Sequence, residues 1–413
     1  MKRILLYILV GLVMACNKES DVDPATGTFI RYFGSENNND AVLAIEAADG
    51  FVLLSNIEIQ LSATEVVNKV KFTKTNTNGD YVSEAIYPDI SNNEVGMKGA
   101  SLIPISSGYL IVGEWIKGNT TELLLIRTND SGALQDSVTI SGKDIDPEKY
   151  ANASLSGRAV IASDDFSSYV VLAEIKNSPD DMFVAQIDAT NLTMTWNRKY
   201  QGNASNEVVN RLFSDNNRLF WSATVNTTAD QTDIRIVEAP MNSESPISAD
   251  PVLVIPGSNE EAKDFCRMIG GWAVIGSTNV SGNADIYLLR TSTSGAYISQ
   301  QMNLAYGDDP INQTITDPEL NDEGNSITIA LDGNLVLLGT VETPNNQKEL
   351  FLMKINAATN KGMWRRTYGG GDDEVGASVR ALSDGSYLVF GTTYFGPRSK
   401  KLMLMKLKAN GDL

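Results

Sequence analysis

A five-residue apolar run recurs seven times along the chain. The copies are FVLLS (Phe51–Ser55), YLIVG (Tyr109–Gly113), YVVLA (Tyr169–Ala173), LFWSA (Leu219–Ala223), WAVIG (Trp272–Gly276), LVLLG (Leu335–Gly339) and YLVFG (Tyr387–Gly391). Each opens on an aromatic residue or Leu and carries Gly, Ser or Ala four positions later. Near-continuous apolar runs of this length predict strands buried on both faces. The small residue at a fixed place predicts close approach of a neighbouring backbone. A second series follows the first: NKVKFTK from Asn68, ELLLIRT from Glu122, DMFVAQI from Asp181, DIRIVEA from Asp233, DIYLLRT from Asp285, ELFLMKI from Glu349 and KLMLMKL from Lys401. All but the copies at Asn68 and Lys401 begin on an acid. The unit is fullest between Met363 and Leu413, where ASVRAL, YLVFG and LMLMKL are parted by Asp384-Gly385 and closed by Asn410-Gly411, with WRRTYGG arriving from the unit before. Asp-Gly and Asn-Gly supply the positive φ that tight hairpins require. The pattern predicts an all-β chain repeating every ~55 residues.

The unit reads Tyr-Gly-Gly, Asp, an apolar strand, Asp-Gly-x-Tyr, a second apolar strand ending Gly-x-Thr, then Asp or Glu opening a third, Lys-Leu, Asn-Gly and Trp. This resembles the β-propeller repeats of secreted and surface lipoproteins of the Bacteroidetes. The resemblance is strongest in the last unit, fair over Glu261–Gly307 and Gly324–Gly370, and weak over Asp181–Val254. KINAATNKGMW (Lys354–Trp364) and QIDATNLTMTW (Gln186–Trp196) are similar to quinoprotein-type propeller repeats, in which the Trp packs between blades. That likeness implies structural roles for Trp196 and Trp364, and two degenerate copies imply no quinone; no cofactor is expected. The last unit stops at Leu413 without a fourth strand, while TFIRYFG (Thr28–Gly34) matches WRRTYGG with no strands before it. The expected fold is therefore an all-β, seven-bladed β-propeller of four-stranded antiparallel blades. The last blade is closed by pairing Thr28–Phe33 with Lys401–Leu407, which leaves no exposed ring edge.

The N-terminus bears on the expected compartment. Lys2 and Arg3 precede an apolar run, Ile4 to Val13, and then Met14-Ala15-Cys16. This resembles a bacterial lipoprotein signal peptide, which implies cleavage before Cys16 and lipidation of that residue. The run is shorter than the ~20 apolar residues that span a bilayer. The expected organisation is a signal peptide over 1–15, a lipidated Cys16 and polar tether over 16–27, and one propeller over 28–413. Asn17 is not the Asp that resembles an inner-membrane retention signal. Lys18-Glu19-Ser20-Asp21 resembles a short charged surface-export signal, so the expected location is the outer membrane, lipid-anchored, at the cell surface or facing the periplasm. Cys266 is the other cysteine, set in an apolar strand as a buried small hydrophobe, and no disulfide framework is expected. The formal charge is −18. Such acidity argues against nucleic acid as a partner and favours a soluble, monomeric propeller.

The chemistry expected of the chain is narrow. It has no histidine, which excludes Ser-His-Asp and Cys-His arrangements and His-based zinc sites. It has no Cys-x-x-Cys, Gly-x-Ser-x-Gly or phosphate-binding Gly-x-x-x-x-Gly-Lys-Ser/Thr motif. Neither a catalytic residue nor a metal ligand is assigned; Asn321–Asn325 (NDEGN) offers oxygens for calcium without EF-hand spacing. Carboxylates such as Asp180, Asp181, Asp372, Asp373 and Glu374 leave a glycoside hydrolase or lyase open. The acids preceding first strands (Asp40, Glu94, Glu207, Glu260, Asp322, Asp373) are expected to accept hydrogen bonds between blades. Connections between second and third strands, and from each unit to the next, are expected to be long and to share one face; the longest are Gly142–Leu155, Asp308–Glu323 and Ile57–Val67. Variable loops on a rigid scaffold are where binding sits. There Trp115, Tyr150, Tyr394 and Phe395 are candidate stacking residues, with Arg398 and Asp373 as polar partners. Three functions follow in order: a non-catalytic, lipid-anchored interaction or assembly module for an outer-membrane protein partner; a binder of extracellular glycan or nutrient beside an uptake system; and a carboxylate-based hydrolase or lyase.

Overall fold

The computed structural model describes residues 27–34, 37–62, 65–88, 95–176, 182–200, 208–228, 231–241, 259–279, 282–293, 297–301, 320–396 and 399–413. Cys16, the segment before it and Arg398 lie outside these. The chain is a seven-bladed β-propeller. Each blade is an antiparallel meander taken in chain order: blade 1 within Asn38–Tyr87, blade 2 within Gly96–Ile140, blade 3 within Ser154–Tyr200, blade 5 within Glu260–Gln301 and blade 6 within Asp322–Tyr368. Blade 4 shows three strands among the described residues, from Val208 to Pro240. Blade 7 joins Glu374–Ala381, Tyr387–Tyr394 and Lys400–Leu407 to the N-terminal strand Phe29–Phe33, which pairs Phe29 with Lys406 and Phe33 with Leu402.

Both repeated series fall where the apolar pattern puts them. The recurring five-residue runs lie on the second strands, and nearly every residue of Tyr109–Gly113, Tyr169–Ala173 and Trp272–Gly276 is buried. The small residue is required by contact. A Cβ on Gly113 would sit 1.9 Å from the carbonyl oxygen of Lys98, and one on Gly276 1.7 Å from that of Glu261. The Asp of the Asp-Gly turn also has a role beyond the turn, since it accepts from the third-strand Lys of its own blade. Lys74–Asp49 (2.9 Å), Lys354–Asp332 (2.7 Å) and Lys406–Asp384 (2.8 Å) repeat this pair in blades 1, 6 and 7.

The closing strand reproduces a fourth strand residue by residue. Phe29 stands opposite Lys406 as Trp364 stands opposite Lys354. The Phe29 ring covers Gly79 of blade 1, and the Trp364 ring covers Gly411 of blade 7. Arg31 Nε donates to Asp80 (3.2 Å) as Arg366 Nε donates to Asp412 (2.8 Å).

Two expectations about loops need correction. Ile57–Val67 is mostly strand: second and third strands of blade 1 run to Gln60 and start at Val66, and Ile57 is buried. Blade 2 joins its second and third strands by a tight turn, Lys117 to Thr120. Gly142–Leu155 begins with one helical turn, Gly142–Ile145, capped by Ser141 and Asp144, and then folds inward. Asp308–Glu323 lies largely outside the described residues.

Candidate binding site: the central channel

All seven first strands line the axis, and each carries a β-bulge at the same point. The register with the second strand skips between Ala41 and Leu43, Gly99 and Ser101, Gly157 and Ala159, Val209 and Leu212, Ala262 and Asp264, Gly324 and Ser326, and Gly376 and Ser378. A bulge re-aims one extra side chain out of the ladder. Here the extra residues, among them Arg158, Arg211, Lys263 and Asn325, line an axial cavity of about 780 Å³.

The backbone just before the bulge is strapped to the preceding blade. On five blades the residue following the small second-strand position accepts from the next first strand. Asn56 accepts from Gly99 N (2.8 Å), Glu174 from Val209 N (3.0 Å) and Thr224 from Ala262 N (2.9 Å). Thr340 accepts from Gly376 N (3.0 Å) and Thr392 from Ala41 N (2.9 Å). On blade 2 this position is Glu114, which instead takes Lys176 Nζ at 2.9 Å. These straps fix the bulges, and with them the channel wall.

The wall is mixed. Blades 1 to 4 bring apolar side chains, among them Leu43, Leu102, Val160 and Phe213, with Lys98 and Glu114 of blade 2 beside them, while Arg158, Arg211, Asp264 and Arg380 come from blades 3, 4, 5 and 7. Asp264 is the hub, only 8% exposed. Its Oδ2 accepts from Ser326 Oγ (2.8 Å) and Ile327 N (3.1 Å) of blade 6. Arg211 Nη1 approaches Oδ1 at 3.5 Å from blade 4, and Arg380 Nη1 approaches Oδ2 at 3.9 Å from blade 7. One carboxylate thus ties four blades across the axis. Burial, with Arg211 nearby, pulls the Arg380 guanidinium down to about 10 against the opposing pull of Asp264; it stays a cation at neutral pH. Burial and then Asp264 push the Cys266 thiol up to about 12, against Arg211 and Arg380. Cys266 is thus a buried, protonated side chain, as its apolar strand predicts. Arg158 Nη2 bonds Glu174 Oε2 at 2.6 Å, and its Nε is buried with no partner among the described residues.

The stacking residues expected from the loops do not converge on this channel. Tyr394 and Phe395 come together with Asp373 on blade 7: Tyr394 N donates to Asp373 O (2.8 Å), and Phe395 meets Tyr32 edge-on at 5.6 Å. Trp115 is on blade 2, half-buried against the core shared by blades 1 and 2. Tyr150 must be withdrawn as a surface platform. It is 1% exposed, its carbonyl lies against Gly142, and Lys149 and Lys199 cover its ring at 5.2 and 5.3 Å. The recurring acids divide. Asp373 accepts Lys348 N (2.9 Å) and Asp40 pairs with Lys400 (2.9 Å), both between blades. Glu260 and Asp322 instead accept from Thr278 and Glu342 of their own blades. Asp322 and Asn325, the latter accepting from Thr340 Oγ1 at 2.7 Å, are thus committed within blade 6. Asp372 and Glu374 accept from Gly396 and Thr393 at the junction of blades 6 and 7, outside the channel lining. Burial raises the Glu374 carboxyl above its ordinary value.

Among the described residues no helix is long and apolar enough to cross a membrane. No protein-family model matches the chain, and no curated protein sequence does. Solved structures with a similar chain path include an endo-arabinase from Bacteroides thetaiotaomicron, at 10% identity over 62% of this chain and 94% of that one, TM-score 0.38. A quinohemoprotein alcohol dehydrogenase from Pseudomonas putida is 9% identical over 94% and 76%, TM-score 0.47. A protein of unknown function from Dyadobacter fermentans is 12% identical over 92% and 99%, TM-score 0.47. At such identities and scores nothing of those proteins' chemistry passes to this chain.

Proposed function

We propose that this chain is a non-catalytic, lipid-anchored binding propeller of the bacterial outer membrane, holding a polar ligand in its central channel. The observation that carries the reading is the state of the charged wall. Of its two carboxylates, Asp264 is engaged by Arg211 and Glu114 by Lys176, each from another blade, while Glu174, outside the lining, holds Arg158. A carboxylate locked this way is poor general acid or base material, while the same rigidity is what a binding site needs. A lining that mixes apolar and charged side chains suits a ligand with polar and less polar parts. The anchor rests on the sequence around Cys16.

The test has two arms. In cells fed an alkyne fatty acid, the wild-type chain acquires label and fractionates with the outer membrane, whereas Cys16→Ser stays unlabelled. In vitro, the tether-and-propeller chain is screened by thermal shift against oligosaccharides, organic acids and peptides. A ligand that raises Tm without being consumed supports the reading; turnover of the ligand, or capture of a stoichiometric protein partner that leaves the channel free, overturns it.

A second reading has its own observation. Tyr32 and Phe395 are 54% and 50% exposed and meet at the rim of blade 7. Such a pair suits a sugar ring, and it predicts that Tyr32→Ala with Phe395→Ala abolishes binding to an immobilised glycan that channel variants still bind.

A further inference from the structure

The chain carries a formal charge of −18, yet its one axial cavity is lined by five cationic side chains, Lys98, Arg158, Arg211, Lys263 and Arg380, against two anionic ones, Glu114 and Asp264. Cations are the scarcer sign here, and the fold brings five of them to the axis. A guanidinium carries more N–H donors than these three have acceptors. Arg211 and Arg380 share the Asp264 carboxylate at 3.5 and 3.9 Å, both longer than a charge-assisted hydrogen bond. Among the described residues Arg380 otherwise bonds the Val379 carbonyl alone (3.0 Å), and Arg158 bonds Glu174 while its Nε points to no acceptor. The side chains are held in advance, Arg211 by lying over the Phe213 ring at 4.7 Å. Lys263 is paired with Glu261 (2.6 Å) and Arg158 with Glu174, so the surplus at the axis is carried by Lys98, Arg211 and Arg380 against Asp264. Charge that lines a cavity is screened less than charge on an open surface.

We infer that the channel recognises an oxyanion, a carboxylate, sulfate or phosphate group, clasped between Arg158 of blade 3, Arg211 of blade 4 and Arg380 of blade 7. The group belongs either to a free inorganic ion or to an acidic ligand such as a uronic-acid sugar. The inference rests on the channel-binding reading above and narrows it to one chemical class. Bidentate donation from Arg to a planar or tetrahedral oxyanion is the strong form of this contact.

The experiment measures Tm and, by calorimetry, Kd with sodium sulfate, sodium phosphate, sodium glucuronate and glucose, at ionic strength matched with chloride. Sulfate, phosphate or glucuronate raises Tm and glucose does not; the shift shrinks as sodium chloride is added. Glucuronate alone acting identifies an acidic sugar as the source, and all three acting identifies a free oxyanion. Arg211→Gln and Arg380→Gln each weaken Kd about tenfold. Because either could perturb the Asp264 hub, Ala377→Glu serves as a variant that breaks no ion pair among the described residues. It keeps a cooperative melt in chloride and loses the anion-induced shift. If anions leave Tm unmoved while a neutral ligand raises it, the oxyanion inference is wrong and the binding reading stands. If no ligand moves it, both are wrong. An anion effect that survives Ala377→Glu overturns the placement in the channel.

Discussion

Glu174 stands where Asn56, Thr224, Thr340 and Thr392 stand on other blades, and it does their work with a charge. It accepts the buried Val209 N–H at 3.0 Å and Arg158 at 2.6 Å. Removing it strands a buried donor and uncouples a guanidinium, so Glu174→Ala should cost about 3–5 kcal/mol in urea unfolding. Glu174→Gln keeps an acceptor for Val209 and should cost less than half as much; equal losses would mean the strap is not what the carboxylate supplies. A second residue-scale effect is set by pH. Partial burial works upward on the Asp384 carboxyl, but hydrogen bonds from Lys406 and Ser386 dominate and hold it at about 2. Its ordinary value lies near 3.9. The lowered group therefore adds stability that is complete above about pH 4 and fades as pH falls toward about 2. The carboxyl is half exposed, so the gain is small, at most about 1 kcal/mol. The difference in Tm between wild type and Asp384→Asn should be present at pH 6 and vanish near pH 2. A difference that grows on acidification would contradict the sign.

The closing strand is the element on which ring closure turns. Phe29 is 3% exposed, packed with Leu53 and Phe390 between blades 1 and 7 and laid over Gly79, whose φ of +76° no larger residue adopts easily. Phe29→Ala should destabilise by about 3–5 kcal/mol, and deleting residues 28–34 should lower Tm more than any single substitution in that strand. A melting curve unchanged by the deletion would mean blade 7 stands on three strands alone. This element was fully legible in the sequence because it repeats a motif: Phe29, Arg31 and Gly34 follow the spacing of Trp364, Arg366 and Gly369. The second and third strands were legible for the same reason, as double-sided burial leaves a nearly unbroken apolar run. The channel was not. Arg158, Arg211 and Arg380 sit on first strands whose alternation is interrupted by the bulge, so no single period brings them into line. Aligning first strands on their small pre-bulge residue, Gly99, Gly157, Gly324 and Gly376, would have placed Arg158 and Asn325 at one position. Tyr150 misled for the opposite reason: a long polar connection reads as exposed, although its aromatic is what anchors it.

At the scale of the whole molecule, blade equivalence makes a claim stronger than symmetry of shape. In blade 1 the turn after the third strand bonds Asn76 N to Asp80 O and Gly79 N to Asn76 O, and Ser83 then pairs with Lys74. In blade 7 the bonds are Lys408 N to Asp412 O and Gly411 N to Lys408 O, and Phe29 pairs with Lys406. Between Asp80 and Ser83 lie Tyr81 and Val82; between Asp412 and Phe29 lie Leu413 and Thr28. The ends are thus spaced as if one hairpin had been cut there, and a peptide bond from Leu413 to Thr28 should close it with no linker. Two circular permutants separate closure from connectivity. Opening the chain between Asn78 and Gly79 moves the cut hairpin to blade 1, whose fourth strand then becomes the strap, and Tm should stay within a few degrees of the parent. Opening it between Gly370 and Gly371 leaves every blade internally continuous and the ring joined there, among the described residues, by contacts of side chains such as Thr340 with Gly376 N and Asp373 with Lys348 N. That permutant should melt lower and less cooperatively, because no strand crosses the opening to couple the last blade to the first. If the two melt alike, the shared blade contributes nothing to closure, and the interfaces between blades hold the ring by themselves.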